Sequence, residues 1–501
     1  MAQTTTTFYW YDYETFGINR RSDRPAQFAG LRTGADLVPV PGPEGEGEVF
    51  YAKPALDYLP SPESSLLTGI TPQRCEERGV RETEFAGAIF KRFNTPGTVS
   101  IGYNTLGFDD EVTRFLFWRN FLDPYSHSWA NGCSRWDLFP LVCAVWALRG
   151  DSIKWPRWED IDPAVYPAAE GRKGVTFKLE FLTKANGLEH GHAHDALSDV
   201  EATVALARLI AQKEPRLWQW AFENRTKDKV VAALEKGPVV WVSPKFGVVR
   251  GCTRIVMLVG QIGNDALVWD LMADPTELRE IDREALHRRL FASPKNLPEG
   301  ERPLPLWKLK VNASPFVCGS LAVLRPERAQ KYGLDLERIR ANAEKLAAML
   351  RDIQGTILTA AQTKEAEFPK NDEEDAETGL YSGGFPTPAD RARFKKIREA
   401  SPEYLADRGM DFDDERFDGL LLRFRARNWP ESLSHEERET WRAWCEAHVL
   451  EGRNRARTIA DYFEEIDRLE GEVDPEDDAK REVLEALYAW GELVGEAASP
   501  E

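Results

Sequence analysis

The chain has 501 residues, a formal net charge of −18 and 42% hydrophobic residues. That length exceeds what a single hydrophobic core supports, so we expect two to four domains of ordinary globular composition. The longest strongly apolar stretch, 138–148, is too short to span a bilayer, and the N-terminus lacks the pattern of a secretory leader. These features argue against the membrane and secreted classes and predict a cytoplasmic protein.

The acidic charge does not exclude a nucleic-acid partner. Acidic residues concentrate from Asn371 onward, whereas 114–119 and 172–184 are locally basic, so a basic channel is compatible with the sequence. The six cysteines include no C-x-x-C pair. This spacing argues against a disulfide framework or a zinc site and indicates reduced thiols.

The first predicted strand is the aromatic run FYWYDYETFG, from Phe8 to Gly17. Alternation along a strand places Asp12 and Glu14 on the same face, about 7 Å apart. Two carboxylates at that distance repel each other, and a Mg²⁺ ion that also binds substrate phosphate would neutralise them. By itself, the short D-x-E pattern is more often a solvated edge strand.

Strands and helices alternate in the segment that follows. We predict strands at 26–31 and 49–51 that form a meander, a helix at 83–93 and a strand at 98–102. This alternation is typical of an α/β layered domain whose ligand site lies at the carboxyl ends of strands. The next helix is expected to begin at Asp109, which either caps it or coordinates an ion.

A helix at 137–148 is apolar on almost all sides and is predicted to be buried. Asp195 is expected to cap a later helix whose inward stripe begins at Asp199. A carboxylate directed at a core is costly unless it is paired or bound to metal, which makes Asp199 a candidate ligand. The histidines at 190, 192 and 194 occupy alternate positions, which on a strand would place all three on one side as possible metal ligands. Their polar context favours a loop over a zinc site.

The composition changes after Arg225. Short β-like runs predict a small sheet or barrel domain, at 239–242, 247–250, 254–260, 266–271 and 315–324. A helical segment at 336–361 and a charged linker at 365–377 follow. The rest of the chain is predicted to be helical, at 389–400, 417–428, 435–450, 459–469 and 479–496.

Taken in order, Asp12, Glu14, Asp109, His194 and Asp199 resemble the active-site set of the DEDDh superfamily of 3′ to 5′ exonucleases. Within that superfamily the chain is similar to the bacterial exodeoxyribonuclease I family, through YDYETFG, GYNTLGFDDEVTRFLFWRNFLDPYSHSW, NGCSRWDL, FLTKANGLEHGHAHDALSDV and LLLRFRARNWPESLS. The resemblance implies an α/β fold class with an RNase H-like exonuclease domain (1–215), an SH3-like β-containing domain (216–370) and a helical C-terminal domain (371–501). It also implies an enzyme that degrades single-stranded DNA from the 3′ end to 5′ mononucleotides, in DNA repair and recombination.

The same resemblance implies roles for individual residues. Two Mg²⁺ ions per site, with Mn²⁺ as a substitute, are expected to bind Asp12, Glu14, Asp109 and Asp199, and these four act in catalysis with His194 as general base. The implied DNA contacts are Glu14, Arg114, Tyr125, Trp129 and Lys178, although Tyr125 and Trp129 are alternatively core aromatics. Lys178 stands where the family tends to have Arg, and 141–144 lacks an expected basic residue, so the chain departs from the family at both places.

The family docks on the acidic tail of single-strand-binding protein, and Arg423, Arg425 and Arg427 are candidates for that pocket, although a solvated helix face explains them equally well. We expect a monomer. Two other classes remain open: another DEDDh nuclease that acts on RNA or in proofreading, and a catalytically idle DNA-repair scaffold. Because all five candidate catalytic residues lie before residue 215, the later domains are expected to enclose the strand rather than take part in the chemistry.

Overall fold

The computed structural model describes residues 5–42, 45–189, 191, 195–366, 375–382, 384–408 and 410–499. The chain forms two compact units. Unit 1 is drawn from 1–135, 190–201 and 371–501, and unit 2 from 136–189 and 202–370. Among the described helices, none is long and apolar enough to cross a membrane.

A mixed five-stranded sheet organises the first part of the chain. Its strands are β1 (Thr7–Thr15), β2 (Pro25–Thr33), β3 (Gly47–Tyr51), β4 (Thr98–Gly102) and β5 (Ser134–Asp137). Their order is β3-β2-β1-β4-β5, in which β1–β2 and β2–β3 are antiparallel and β1–β4 is parallel. The predicted meander and the predicted strand at 98–102 are both confirmed.

The two faces of β1 have different surroundings. The helices of this region are α1 (Pro62–Thr68), α2 (Pro72–Arg78), α3 (Glu82–Phe93) and α4 (Asp109–Arg119). Tyr9, Tyr11 and Tyr13 pack in one buried cluster with residues of α3 and α4. Because side chains alternate along a strand, Asp12 and Glu14 lie on the opposite face, away from this aromatic core.

The next helices are α5 (Leu138–Arg149), α6 (Leu179–Ala185), α7 (Ala196–Lys213), α8 (Pro215–Glu223) and α9 (Lys227–Glu235). Asp137 caps α5, since its side chain accepts a hydrogen bond from the Phe139 N–H at 2.9 Å. Residues 141–144 of α5 are buried. The predicted buried helix is therefore confirmed.

The second sheet lies in unit 2 and is wholly antiparallel. Its strands are β6 (Val239–Val242), β7 (Thr253–Ile262), β8 (Asp265–Asp270), β9 (Leu306–Lys310) and β10 (Phe316–Cys318), in the order β10-β6-β7-β8-β9. The strand predicted at 247–250 is wrong, because Gly247 and Gly251 take positive φ values of 80° and 59° around a 3-10 turn. Strand β9 was not predicted, and only 316–318 of the run at 315–324 is a strand.

The remaining helices confirm the predicted helical character of the C-terminal region. Unit 2 adds α10 (Glu277–Glu280), α11 (Arg283–Arg289), α12 (Pro326–Lys331) and α13 (Leu336–Ala366). Unit 1 adds α14 (Pro388–Glu399), α15 (Pro402–Arg408), α16 (Arg416–Asn428), α17 (His435–Cys445), α18 (Ile459–Glu470) and α19 (Asp478–Ala498). Of these, α10, α11, α12 and α15 were not predicted. Most of the predicted linker at 365–377 lies outside the described residues.

The arginines of α16 do not form a solvated face. The side chains of Arg423, Arg425 and Arg427 are at most 9% exposed. Each guanidinium is paired with carboxylates of unit 1: Asp375 and Glu377 for Arg423, Glu437 for Arg425, and Asp57 and Glu377 for Arg427. The solvated-face interpretation is therefore wrong, and these charges are already neutralised inside unit 1.

Candidate active site

Three carboxylates converge where β1 meets the first turn of α7. Asp12, Glu14 and Asp199 each offer a ligand oxygen, and these oxygens all lie within 4.8 Å of one another. All three side chains are half-buried. Hard oxygen donors in this number are the ligands that Mg²⁺ and similar cations prefer, so the sequence-predicted acids Asp12, Glu14 and Asp199 are brought together in a form suited to a divalent ion.

The electrostatics of the cluster favour a bound cation. Burial raises the pKa of Asp12 well above its usual range, and the carboxylates of Asp109, Glu14 and Asp199 raise it further. Burial also raises the pKa of Glu14 to about 8, together with the charges of Asp199, Asp109 and Asp195. A divalent cation relieves both the desolvation and the mutual repulsion, so the donor set fits a metal ion.

Two neighbouring acids at the start of α4 have different environments. Asp110 is buried and binds Arg135, Arg114 (Nη2–Oδ2 3.1 Å) and His127 (Nε2–Oδ1 3.3 Å). Burial alone would raise the pKa of Asp110, but the two arginines hold it well below its usual range. Asp109 instead acts electrostatically on Asp12 and Glu14. Asp109 is thus the acid that lies by the cluster, and Asp110 is an internal ion-pair residue.

Neither of these acids is the helix cap. The cap position of α4 is Phe108, which makes no side-chain capping bond, and Asp109 is the first helical residue. The capping interpretation of Asp109 is therefore wrong. An acid in the first helical turn still interacts favourably with the positive end of the helix dipole.

Gln27 is a site-positioning residue that sequence reasoning missed. It lies opposite Glu14 in the β1–β2 ladder and is 1% exposed. Its Nε2 donates to Asp195 Oδ1 at 3.2 Å, and its Oε1 accepts from the Ala196 N–H at 3.2 Å. Gln27 therefore fixes the start of α7 against β2. A lone glutamine in the apolar stretch PAQFAGL was the available signal.

The predicted cap of α7 is confirmed. Asp195 Oδ2 accepts a hydrogen bond from the Ser198 N–H at 3.3 Å. This bond fixes the first turn of the helix, which carries Asp199 to the cluster. The predicted general base His194 and the two other alternating histidines, His190 and His192, lie outside the described residues.

The predicted DNA contacts in unit 1 differ in exposure. Trp129 is 69% exposed, so it is not a core aromatic. Tyr125 is half-buried, with its ring 5.5 Å from the guanidinium carbon of Arg114. Arg114 also pairs with Asp110 and Glu111, which leaves its side chain 13% exposed. These three residues lie on the same unit as the acidic cluster.

The charged groups of Lys178 and Arg119 differ in exposure and in their partners. In unit 2, the Lys178 ammonium lies 5.0 Å from the centre of the Tyr166 ring and 3.8 Å from Glu180, and its side chain is 42% exposed. In unit 1, the Arg119 side chain is 2% exposed and is bound to Glu82. Arg119 therefore supplies no open positive charge to a DNA channel, although the sequence around 114–119 is basic.

Comparison with known proteins covers nearly the whole chain. Three family models match successive segments: "Exonuclease" at 9–207, "Exonuclease I SH3-like domain" at 225–359 and "Exonuclease I C-terminal domain" at 374–494. Exodeoxyribonuclease I of Haemophilus influenzae is 38% identical over 497 residues, which is 98% of this chain and 99% of that protein.

Solved structures agree with these matches. Escherichia coli exonuclease I in complex with a dA16 oligonucleotide has a TM-score of 0.86 at 36% identity, over 98% of this chain and 100% of that one. A crystal structure of SSB/exonuclease I in complex with the inhibitor CFAM has a TM-score of 0.82 at 35% identity, with the same coverage. The expected fold class is confirmed, and the chain belongs to the exodeoxyribonuclease I family.

Proposed function

We propose that this enzyme degrades single-stranded DNA from the 3′ end, depends on Mg²⁺ and releases 5′ mononucleotides. The observation that carries the proposal is the convergence of Asp12, Glu14 and Asp199 within 4.8 Å, with Asp109 acting on the same cluster. The similarity to a structure solved with a dA16 oligonucleotide supports single-stranded DNA as the substrate. We place the activity in DNA repair and recombination in the cytoplasm, carried out by a monomer with domains at 1–215, 216–370 and 371–501.

The four carboxylates have the charge and donor atoms to hold two divalent ions. When bound, such ions would neutralise the charge that develops on the attacking water oxygen and on the leaving 3′ oxygen, and Mn²⁺ has a ligand preference close enough to substitute. Asp12, Glu14 and Asp199 provide the close-set oxygens, and Asp109 contributes from the start of α4. Gln27 keeps α7 in place, so that Asp199 stays within reach of β1.

His194 is proposed as the general base. It stands five residues before Asp199 in the sequence, and an imidazole with a pKa near 6.5 accepts a proton from water at neutral pH. The water oxygen then bonds to phosphorus as the bond from phosphorus to the 3′ oxygen breaks. The 3′ oxygen takes up a proton to become the 3′ hydroxyl of the shortened strand, and the phosphate stays on the 5′ oxygen of the released nucleotide. Glu14, Arg114, Tyr125, Trp129 and Lys178 are proposed to contact the strand.

A partner is proposed as well. The similarity to a solved SSB/exonuclease I structure supports binding to single-strand-binding protein, and we propose the C-terminal tail of that protein as the segment that binds. The arginines of α16 are not proposed as the docking surface, because their charges are paired within unit 1.

The test of the function is hydrolysis of a 5′-labelled single-stranded DNA with and without Mg²⁺, compared with an RNA of the same sequence. Wild type should shorten the DNA from its 3′ end only when metal is present. Asp199→Asn should abolish cleavage and retain strand binding in EDTA, whereas Glu431→Gln, which changes an exposed acid of the same unit, should behave as wild type. Faster cleavage of the RNA, or a cleaving Asp199→Asn protein, would refute the proposal.

A further inference from the structure

Helix α4 and strand β1 are joined by a buried hydrogen bond close to the acidic cluster. Thr113 Oγ1 donates to the Tyr13 hydroxyl at 3.0 Å. Thr113 is 0% exposed and Tyr13 is 5% exposed, so bulk water has little access to this bond. A hydrogen bond in such a setting is stronger than one at the surface, and breaking it leaves a buried hydroxyl without this partner. The bond therefore holds α4 and β1 together at one defined point.

Both ends of the Thr113–Tyr13 bond are next to predicted metal ligands. Tyr13 stands between Asp12 and Glu14 on β1, with its side chain on the opposite face of the strand. Thr113 lies four residues after Asp109 on α4, which places the two on the same face of the helix, about 6 Å apart along its axis. The bond thus links the strand that carries two of the acids to the helix that carries a third.

The apolar contacts between α4 and β1 are less specific than this hydrogen bond. Val112, Leu116 and Phe117 of α4 pack in the same cluster as the aromatic rings of β1. Apolar burial is non-directional, so it favours contact between the two elements more than one particular register. A hydrogen bond weakens steeply when its angle changes. The Thr113–Tyr13 bond therefore supplies a directional contact that sets the position of α4 along β1.

Another group of contacts holds the first turn of α4 from the side of β5. Asp110 is bound by Arg135 of β5, and its Oδ1 lies 3.3 Å from His127 Nε2. Strand β4 lies between β5 and β1 in the sheet, so these contacts do not join α4 to β1 directly. They orient the start of the helix, whereas the bond to Tyr13 links the helix to the strand that bears the acids.

We propose that the Thr113–Tyr13 bond is a positioning contact of the metal site, which sets the distance of Asp109 from the two acids of β1. The two hydroxyls contact neither the metal nor the DNA strand, and they act through the element that bears each ligand. Loss of a contact that orients a metal ligand typically costs about 10- to 100-fold in metal affinity or activity. The inference rests on the proposed function for its effect on hydrolysis, whereas its effect on metal binding is measured without DNA.

The test is Mn²⁺ binding to the full-length protein without DNA, followed by electron paramagnetic resonance of the free ion. Tyr13→Phe removes the hydroxyl and keeps the ring, which packs against Phe28 with the ring centres 4.8 Å apart. Tyr13→Phe and Thr113→Val should each weaken Mn²⁺ binding by about 10- to 100-fold. Thr113→Ser, which retains a hydroxyl, should bind Mn²⁺ nearly as well as wild type. Asp109→Asn gives the effect of losing the ligand itself.

Tyr9→Phe is the matched control. Tyr9 belongs to the same aromatic cluster, and its hydroxyl donates to Glu48 Oε1 at 2.6 Å. It lies four residues before Tyr13, about 13 Å along the strand, so Tyr9→Phe should lose a hydroxyl contact without a change in Mn²⁺ affinity. Equal Mn²⁺ affinities in wild type, Tyr13→Phe and Thr113→Val would overturn the proposal. Equal losses in Tyr13→Phe and Tyr9→Phe would also overturn it, because they would indicate a general loosening of the core.

A second measurement uses hydrolysis of single-stranded DNA. Tyr13→Phe should lower kcat at a fixed Mg²⁺ concentration and leave KM for DNA near that of wild type, because this hydroxyl is buried and does not contact the strand. Tyr13→Phe combined with Thr113→Val should be no more impaired than either single variant, since each removes the same bond. Additive losses would contradict a shared bond. If wild type itself does not cleave DNA, the proposed function fails, and the Mn²⁺ affinities alone decide the positioning contact.

Discussion

Arg427 and Asp57 are 370 residues apart in the sequence, yet Arg427 Nη2 lies 2.6 Å from Asp57 Oδ2. Both side chains are buried, at 7% and 1% exposure. Arg427 also pairs with Glu377, and Glu377 in turn pairs with Arg24, whose Nη2 lies 2.8 Å from Glu377 Oε2. Helix α16 and the residues before it therefore supply counter-ions to charges that are buried in the first 60 residues.

The first prediction is that Arg427→Met destabilises unit 1 strongly. The substitution leaves the Asp57 carboxylate buried without this partner, and breaking a buried pair in this way costs about 3–5 kcal/mol. Urea unfolding followed by circular dichroism measures the loss. The matched control is Arg468→Met, which removes the exposed pairs with Glu63 and Glu472 and should cost far less stability than Arg427→Met. Similar losses in the two variants would contradict the prediction.

The second prediction concerns acid stability. Burial would raise the pKa of Glu82, but Arg119 and Arg24 lower it to about 2. Because an unfolded glutamate titrates near 4.3, the unfolded state binds more protons, so this stabilisation is present above about pH 4.5 and is lost as the pH falls toward 2. Glu82→Gln should therefore be less stable than wild type at pH 7, and the difference should shrink between pH 4.5 and 3. A stability difference between wild type and Glu82→Gln that does not change with pH would refute the lowered pKa of Glu82.

The third prediction is that the exonuclease domain, residues 1–215, does not fold stably when it is separated from the rest of the chain. Such a fragment keeps all five candidate catalytic residues but loses Arg427 and Glu377, so Asp57 and Arg24 lose their buried partners. We expect early, non-cooperative melting and rapid proteolysis of the fragment. Adding residues 371–501 as a separate chain should restore protection. A fragment that melts like the full chain would show that the buried pairs are dispensable.

The fourth prediction concerns the effect of a divalent metal ion on the melting temperature. In EDTA, Asp12→Asn should melt at a higher temperature than wild type, because it removes one of the mutually repelling carboxylates. Mg²⁺ or Mn²⁺ should raise the melting temperature of wild type and have a smaller effect on the variant, since a ligand stabilises the state that binds it. Glu431→Gln serves as the control. An equal metal-induced rise in both proteins would remove Asp12 from the ligand set.

The fifth prediction concerns the general base. His194→Ala should lower the rate of hydrolysis by about 10²- to 10⁴-fold. The metal-induced rise in melting temperature should persist, because the histidine is not proposed as a ligand. The rate of wild type should fall at acidic pH as the imidazole becomes protonated, and this dependence should be absent from the residual activity of the variant. Unchanged activity at neutral pH would exclude His194 from the mechanism.

The sequence alone predicts those parts of the site that depend on local periodicity. The two-residue spacing of Asp12 and Glu14 fixes their common face on β1, and the helical spacing after Asp195 directs Asp199 inward. Such periodicity does not distinguish Asp109 from Asp110. The difference between them comes from Arg135 and His127, which reach Asp110 from later in the chain.

The predictions that the structure contradicts were also based on local composition and periodicity. Arg423, Arg425 and Arg427 have the composition of a charged surface, and only their distant partners show that they are internal. The turn at 247–250 is apolar enough to resemble a strand, but its flanking glycines take left-handed conformations. Strand β9 is half-buried, with lysines at two of its five positions, so its apolar alternation is weak.

The six cysteines are all free and buried. Burial also raises the pKa of thiols such as Cys75, to about 12, which suppresses the reactive thiolate at neutral pH. A dye-maleimide should therefore leave the native chain unmodified and label a single cysteine introduced at an exposed position, for example by Glu482→Cys. Individual labelled molecules can then be watched on a tethered strand by fluorescence, and the length of each digestion run can be read directly without removing any native thiol.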